Sequence, residues 1–140
     1  MNHQHKMTIL APGSQIPEWA EKLEQSEFET LWGQVEEFEM LMLMDKCAFA
    51  RWRVIEKANE AELLRIAVEV AQRRKGLAKR LMNECVTYLS SKGVKSFHLE
   101  VRASNEAARK LYESLGWRQI RTRKKYYRDG EDAVVYGFSR

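Results

Sequence analysis

A chain of 140 residues, 44% hydrophobic and 31% charged, is long enough to bury a core and too apolar to stay disordered. One domain over residues 1–140 is therefore expected. Lys and Arg number 24 against 20 Asp and Glu, a net charge of +4 that favours anionic partners without identifying one. Cys47 and Cys85 sit far apart in no paired spacing, so neither a disulfide framework nor a zinc site is indicated. The longest apolar run, residues 40–44, is too short to cross a bilayer and no signal peptide precedes it, so a reducing, cytoplasmic setting is expected.

The first six residues are polar, and His3 and His5 without a third ligand read as a tail rather than a metal site. Residues 7–10 fit a short strand ended by Pro12 and Gly13. Ile16, Trp19, Ala20 and Leu23 recur at helical spacing, with Pro17, Glu18 and Glu21 early in the helix where they are favourable. Phe28, Leu31 and Trp32 suggest a second short helix before Gly33, so this acidic, aromatic third would flank a cleft. Residues 38–44 and 47–55 are two β-like runs joined by Asp45-Lys46, which predicts a tight hairpin. Asn59-Glu60 makes the next turn, and a buried strand follows through Val68.

At Gln72 the character changes. Gln72-Arg73-Arg74-Lys75-Gly76 is a basic turn whose glycine opens a helix carrying Leu77, Leu81, Cys85 and Leu89 on one line, ended near Gly93. The first N–H groups of a helix have no internal partner and the dipole there is positive, so a glycine turn at that point suits a phosphate. Arg73, Arg74 and Lys75 are themselves unfavourable at a helix start, which suggests an anion that offsets them. The turn matches neither the dinucleotide loop nor the P-loop. Phe97, Leu99 and Val101 then alternate with His98, Glu100 and Arg102 on a further strand. Ser104 can cap a helix with Ala107, Leu111 and Leu115 on one line. Two last strands, residues 117–127 and 133–138, surround Asp129-Gly130. Strands, helix, strand, helix, strands predicts an α/β fold: a mixed, twisted sheet of six to seven strands with helices on both faces.

Arg73, Gly76 and Ala78 resemble the Gln/Arg-x-x-Gly-x-Gly/Ala signature of the GNAT N-acetyltransferases. The run Leu99-Glu100-Val101-Arg102-Ala103-Ser104-Asn105-Glu106-Ala107-Ala108, with Leu111-Tyr112-Glu113-Ser114-Leu115-Gly116-Trp117, closely resembles the bacterial ribosomal-protein-alanine N-acetyltransferases, the RimI group of that superfamily. Tyr126-Tyr127 and Asp129-Gly130-Glu131-Asp132-Ala133 are similar to that group's C-terminal segment. The likeness runs from about Leu63 to the C-terminus and fades over residues 1–62. Glu69-Val70-Ala71-Gln72 stands where family members often carry Asp-Pro-x-Tyr, Ala78 replaces the commoner glycine, and the loop between Tyr127 and Asp129 is shorter than usual.

The resemblance implies an acetyl-CoA-dependent N-acetyltransferase acting on the N-terminal alanine of a small-subunit ribosomal protein, by direct attack of the amine and without a metal. Glu100 would be the base and Tyr112 the acid. Backbone amides of Ile66, Ala67 and Val68 would hold the pantetheine arm, with Val68 an oxyanion donor. Arg73, Arg74, Lys75, Gly76, Leu77, Ala78 and Lys79 would cradle the diphosphate, and Asn105 would hydrogen-bond the coenzyme. On the residues alone, Glu100 is equally a half-solvated carboxylate or a partner for Arg102 or His98. Tyr112 is equally a half-buried helix tyrosine, and Asn105 a helix cap. Another peptide, a lysine side chain or a small amine would be served by the same chemistry. A non-catalytic acetyl-CoA sensor, or an RNA- or ribosome-binding module using Arg118, Arg121, Arg123, Lys124, Lys125 and Arg128, is the alternative of another class. Neither membrane nor direct nucleic-acid contact is expected of the transferase.

Overall fold

The computed structural model describes residues 6–28 and 30–140, so His3 and His5 lie outside the described residues. The chain runs β1 (Met7–Leu10), α1 (Glu18–Phe28), β2 (Glu39–Met44), β3 (Ala48–Ile55), β4 (Glu60–Val68), α2 (Leu77–Ser91), β5 (Ser96–Arg102), α3 (Glu106–Ser114), β6 (Arg118–Arg123) and β7 (Ala133–Ser139). Among the described residues the seven strands form one sheet, ordered β1-β2-β3-β4-β5-β7-β6. Every pairing is antiparallel except β4 with β5. The mixed α/β sheet with helices on both faces is the architecture the sequence pattern predicts.

Strand periodicity sorts the core into two layers. Leu41, Leu43, Phe49 and Ala67 meet Ala20 and Leu23 of α1 on one face. Met42, Met44, Ala48, Ala50 and Trp52 meet α2 on the other, where α3 also lies, with Tyr112 against Trp117 and Tyr136. Because β2 is covered on both sides, its residues 40–44 read as an unbroken apolar run, whereas β3 is broken by Arg51 and Arg53. At 15 residues α2 would be marginal alone in water. Its stripe of Leu77, Leu81, Met82, Cys85, Val86 and Leu89 is buried, and each such large apolar side chain contributes about 1.5–3 kcal/mol. The helix ends in a Schellman motif: Gly93 (φ 101°) donates to Ser90 and Val94 to Leu89, as the glycine predicts.

The structure corrects several expectations. Residues 30–36 form no second helix; Gly33 is left-handed at φ 74°, and Leu31 and Trp32 are exposed. The β2–β3 hairpin turns over three residues, 45–47, so Cys47 sits in the turn and donates its N–H to Met44. The strand expected over 117–127 ends at Arg123, ahead of a left-handed Lys125. Asn105, not Ser104, caps α3: its side chain accepts from the Ala108 N–H, while the Ser104 N–H donates to Glu131.

Candidate active site

Strand β4 pairs with β5 only from Glu60–Ser96 to Leu63–Leu99. Beyond that point β5 continues on β7 to Arg102 and β4 continues on β3 to Val68, leaving a wedge between them. A bulge at Leu64 sets which groups face it: Arg51 pairs with Arg65 but Trp52 with Leu63, so one residue is extra. The Glu69 N–H donates to the Cys47 carbonyl, which marks 47/69, and by alternation 49/67 and 51/65, as hydrogen-bonded pairs. Pairs 48/68 and 50/66 therefore turn their main-chain groups away from β3. The amides of Ile66 and Val68 face the wedge, and that of Ala67 faces β3. The bulge also moves Arg65 and Ala67 onto the α1 face. An apolar run such as Leu63-Leu64-Arg65-Ile66-Ala67-Val68 carries no mark of that phase change.

The wedge leads to the basic turn, through a short 3-10 turn over Val70–Gln72. Gly76 is left-handed at φ 75° and has nothing within 4 Å of the position a Cβ would take. It is the N-cap of α2 with no side-chain cap and no acidic residue in the first turn. The first i to i−4 bond is Arg80 N–H to Gly76, so the N–H groups of Leu77, Ala78 and Lys79 precede any intrahelical partner. The Leu77 side chain is buried in the core, which leaves its backbone alone for this end. Arg74 is also left-handed, at φ 64°. Arg73 is engaged within the protein: its Nε donates to the Val68 carbonyl at 2.9 Å and its guanidinium pairs with Glu27 of α1. Lys75 Nζ donates to Gln72. An open glycine, uncapped helix amides and outward strand amides in line fit a coenzyme with an amide-bearing arm and a diphosphate.

Glu100 lies one residue past the last β4–β5 pair, on the α1 face, with its side chain 18% exposed. Its partner is Arg123 on β6, at 3.1 Å, rather than Arg102 or His98. The Glu100 carboxylate raises the pKa of the Tyr126 phenol beside it. Tyr126 and Tyr127 meet edge to face, on a loop latched to the end of β5. Arg102 reaches Asp129 at 2.8 Å and Glu131 at 3.0 Å, and its guanidinium lies 4.1 Å from the Tyr127 ring centre. Hydrogen bonds from the Glu131 N–H to Asp129, and from Ser104 and Arg102 to Glu131, hold both carboxyls below their ordinary pKa. The basic C-terminal stretch could have yielded Arg123 as the partner only had the strand pairing been known.

Tyr112 is buried among Trp117 and Tyr136, and burial pushes its pKa up to about 12. Asn105 serves as a cap through Oδ1 at 3.1 Å from the Ala108 N–H. Burial likewise pushes the Cys85 thiol up to about 12, so it stays protonated and unreactive.

Compared with known proteins, residues 11–117 match the model of the Acetyltransferase (GNAT) family. The chain belongs to this family. The GNAT chain is 44% identical over 91 residues to the ribosomal protein bS18-alanine N-acetyltransferase of Escherichia coli, covering 63% of this chain and 60% of that protein. It thus matches under two thirds of the length of such curated relatives. An N-alpha-acetyltransferase of Saccharolobus solfataricus is 37% identical over 78 residues, 55% of this chain and 47% of that protein. Among solved structures, the ribosomal-protein-S18-alanine N-acetyltransferase from Escherichia coli superposes with a TM-score of 0.74 at 32% identity, covering 96% of this chain and 94% of that one. Spermidine N-acetyltransferase from Vibrio cholerae reaches a TM-score of 0.80 at 16% identity, over 99% and 95%, a likeness of fold alone. No described helix is long and apolar enough to cross a membrane.

Proposed function

We propose that the chain is a cytoplasmic acetyl-CoA-dependent N-acetyltransferase that acylates the N-terminal α-amine of a protein, an alanine of a small-subunit ribosomal protein. The observation that carries this is the β4–β5 wedge, with the outward amides of Ile66 and Val68 on one strand and Glu100 on the other, followed in the chain by the glycine-opened helix. The named relatives support the choice of acceptor, since the Escherichia coli protein that is 44% identical over the matched residues, and whose structure superposes on 96% of this chain, is described as a ribosomal-protein-alanine N-acetyltransferase.

In this reading Ile66 and Val68 receive the pantetheine arm as an added strand. The N–H groups of Leu77, Ala78 and Lys79 meet the diphosphate, with Arg74 and Lys75 adding charge. An α-amine ionises near pH 8, so most of it arrives protonated and must lose a proton before it attacks. Glu100 accepts that proton, directly or through one water. Nitrogen forms its bond to the acetyl carbon as the carbon–sulfur bond breaks, and the Val68 N–H steadies the charge that develops on oxygen. Tyr112 answers the departing thiolate. A phenol near 12 against a thiol near 8.5 makes full proton transfer uphill by about 5 kcal/mol, so Tyr112 acts as a hydrogen-bond donor rather than a free acid. Both cysteines are buried, which fits direct transfer without an acyl-enzyme.

The test is acetylation of hexapeptides beginning with alanine beside spermidine and an N-blocked lysine peptide, followed by mass spectrometry of ribosomal-protein N-termini from cells with and without the gene. Alanine peptides are the expected substrates; turnover confined to the small amine or to lysine would reassign the acceptor.

A further inference from the structure

The α1–β2 connection, residues 30–36, has no regular structure, yet its backbone is held by side chains from the sheet. Arg51 on β3 and Arg65 on β4 are direct cross-strand partners, an arrangement that repulsion disfavours. Glu24 of α1 reaches both, at 3.4 Å from Arg51 and 3.2 Å from Arg65. Arg51 is 1% and Glu24 3% exposed, and the Arg65 side chain is 9% exposed, so this is an Arg–Glu–Arg triad with two members buried and the third at the edge of solvent. Such triads are costly to desolvate and well-packed apolar residues can replace them, so stability alone does not account for it.

The remaining donors point to the loop. Arg51 donates to the carbonyls of Gly33 and Gln34, both at 3.1 Å, and to Glu39 at 2.8 Å. Arg65 donates to the Thr30 carbonyl at 2.9 Å and to its hydroxyl at 2.8 Å. Glu24 accepts from the Trp32 N–H, and Glu39 from the Glu36 N–H. The Trp32 ring lies over the Arg65 guanidinium, 3.5 Å from its centre, while remaining 44% exposed. Arg65 and Glu100 stand on the same face, each just past the last β4–β5 pair, on opposite lips of the wedge.

Resting on the acetyl-transfer reading, we infer that the Arg51–Glu24–Arg65 triad is a positioning device: it fixes residues 30–36 so that Trp32 forms the wall of the acceptor site facing Glu100. Glu24, Arg51 and Arg65 are positioning residues that act through the loop, and Trp32 meets the first side chains of the incoming peptide.

The experiment compares Glu24→Gln, Arg51→Met and Trp32→Ala with the parent chain by peptide kinetics, acetyl-CoA titration and amide hydrogen exchange. In each variant the peptide KM should rise about ten-fold, equivalent to about 1.4 kcal/mol, with kcat and acetyl-CoA affinity little changed. Exchange in residues 30–36 should quicken in the two triad variants while the amides of α2 and β5 stay protected. Trp32→Ala removes an exposed ring and keeps the test open where a buried variant fails to fold. An unchanged KM in Trp32→Ala, or a triad variant in which acetyl-CoA affinity falls in step with KM, would overturn the inference. A parent chain that acetylates no peptide overturns instead the reading beneath it, and the exchange data separate the two.

Discussion

Glu100 on β5 and Arg123 on β6 meet across the intervening β7, with Arg123 Nε 3.1 Å from a carboxylate oxygen. The pair leaves Glu100 anchored at one oxygen, beside Tyr126, at the mouth of the wedge. Glu100→Gln keeps size and hydrogen bonding but removes the proton acceptor. Turnover should drop about a hundred-fold or more, while calorimetric titration gives unchanged acetyl-CoA affinity. Undiminished turnover would remove Glu100 as the base.

Tyr112 gives a pH signature that needs no substrate. Its pKa rises from 10.0 to about 12 because burial disfavours the phenolate. Below pH 10 the phenol is neutral in folded and unfolded chains alike, and the favourable neutral state is fully present. Between pH 10 and 12 the unfolded chain ionises first, so stability falls as pH rises. The loss amounts to roughly 2–3 kcal/mol. Urea midpoints measured from pH 9 to 12 should therefore fall further for the parent than for Tyr112→Phe, which has no such group to ionise. Parallel curves would mean that the ring is more hydrated than its contacts with Trp117 and Tyr136 imply. The same variant should lower turnover about three- to ten-fold, the size of one hydrogen bond.

The layers of this fold were readable because they rest on short-range periodicity. The α2 stripe, the alternation of Phe97, Leu99 and Val101, and the Gly93 stop each follow from one segment's own residues. Leu31 and Trp32 misled because their helical spacing with Phe28 is real, but carbonyls at 30, 33 and 34 bond to Arg51 and Arg65 instead of to a helix. The bulge at Leu64 had no sequence mark, yet it decides that Ile66 and Val68 rather than Ala67 face the wedge. Partners such as Arg123 for Glu100 or Glu27 for Arg73 are 23 and 46 positions away, and only strand order brings them together.

Gly76 tests whether the basic turn needs its backbone. Open space surrounds the missing Cβ, so Gly76→Ala meets no clash and its effect is conformational. A left-handed φ costs a residue with a Cβ about 1–2 kcal/mol, which should appear as a lower melting temperature. If the turn holds the diphosphate, relaxation of φ also turns the N–H groups of Leu77 and Ala78, and affinity for desulfo-coenzyme A should fall with it. Lower stability with intact affinity would confine Gly76 to the role of a helix N-cap.

Asn105 separates two roles that coincide in one side chain. Its Oδ1 accepts from the Ala108 N–H, which satisfies one of the unpartnered donors at the start of α3, a helix of nine residues that depends on its cap. Asn105→Ala should therefore destabilise the chain by about 1 kcal/mol, read as a shift in the urea midpoint at constant slope. Asn105→Ser restores the cap with a hydroxyl and should recover most of that stability. The Nδ2 group is absent from both variants, and it is the donor left over for a coenzyme. Should Asn105 touch the coenzyme, acetyl-CoA affinity falls equally in the Ala and Ser variants, out of step with stability. Should it serve α3 alone, affinity follows stability and returns with Ser.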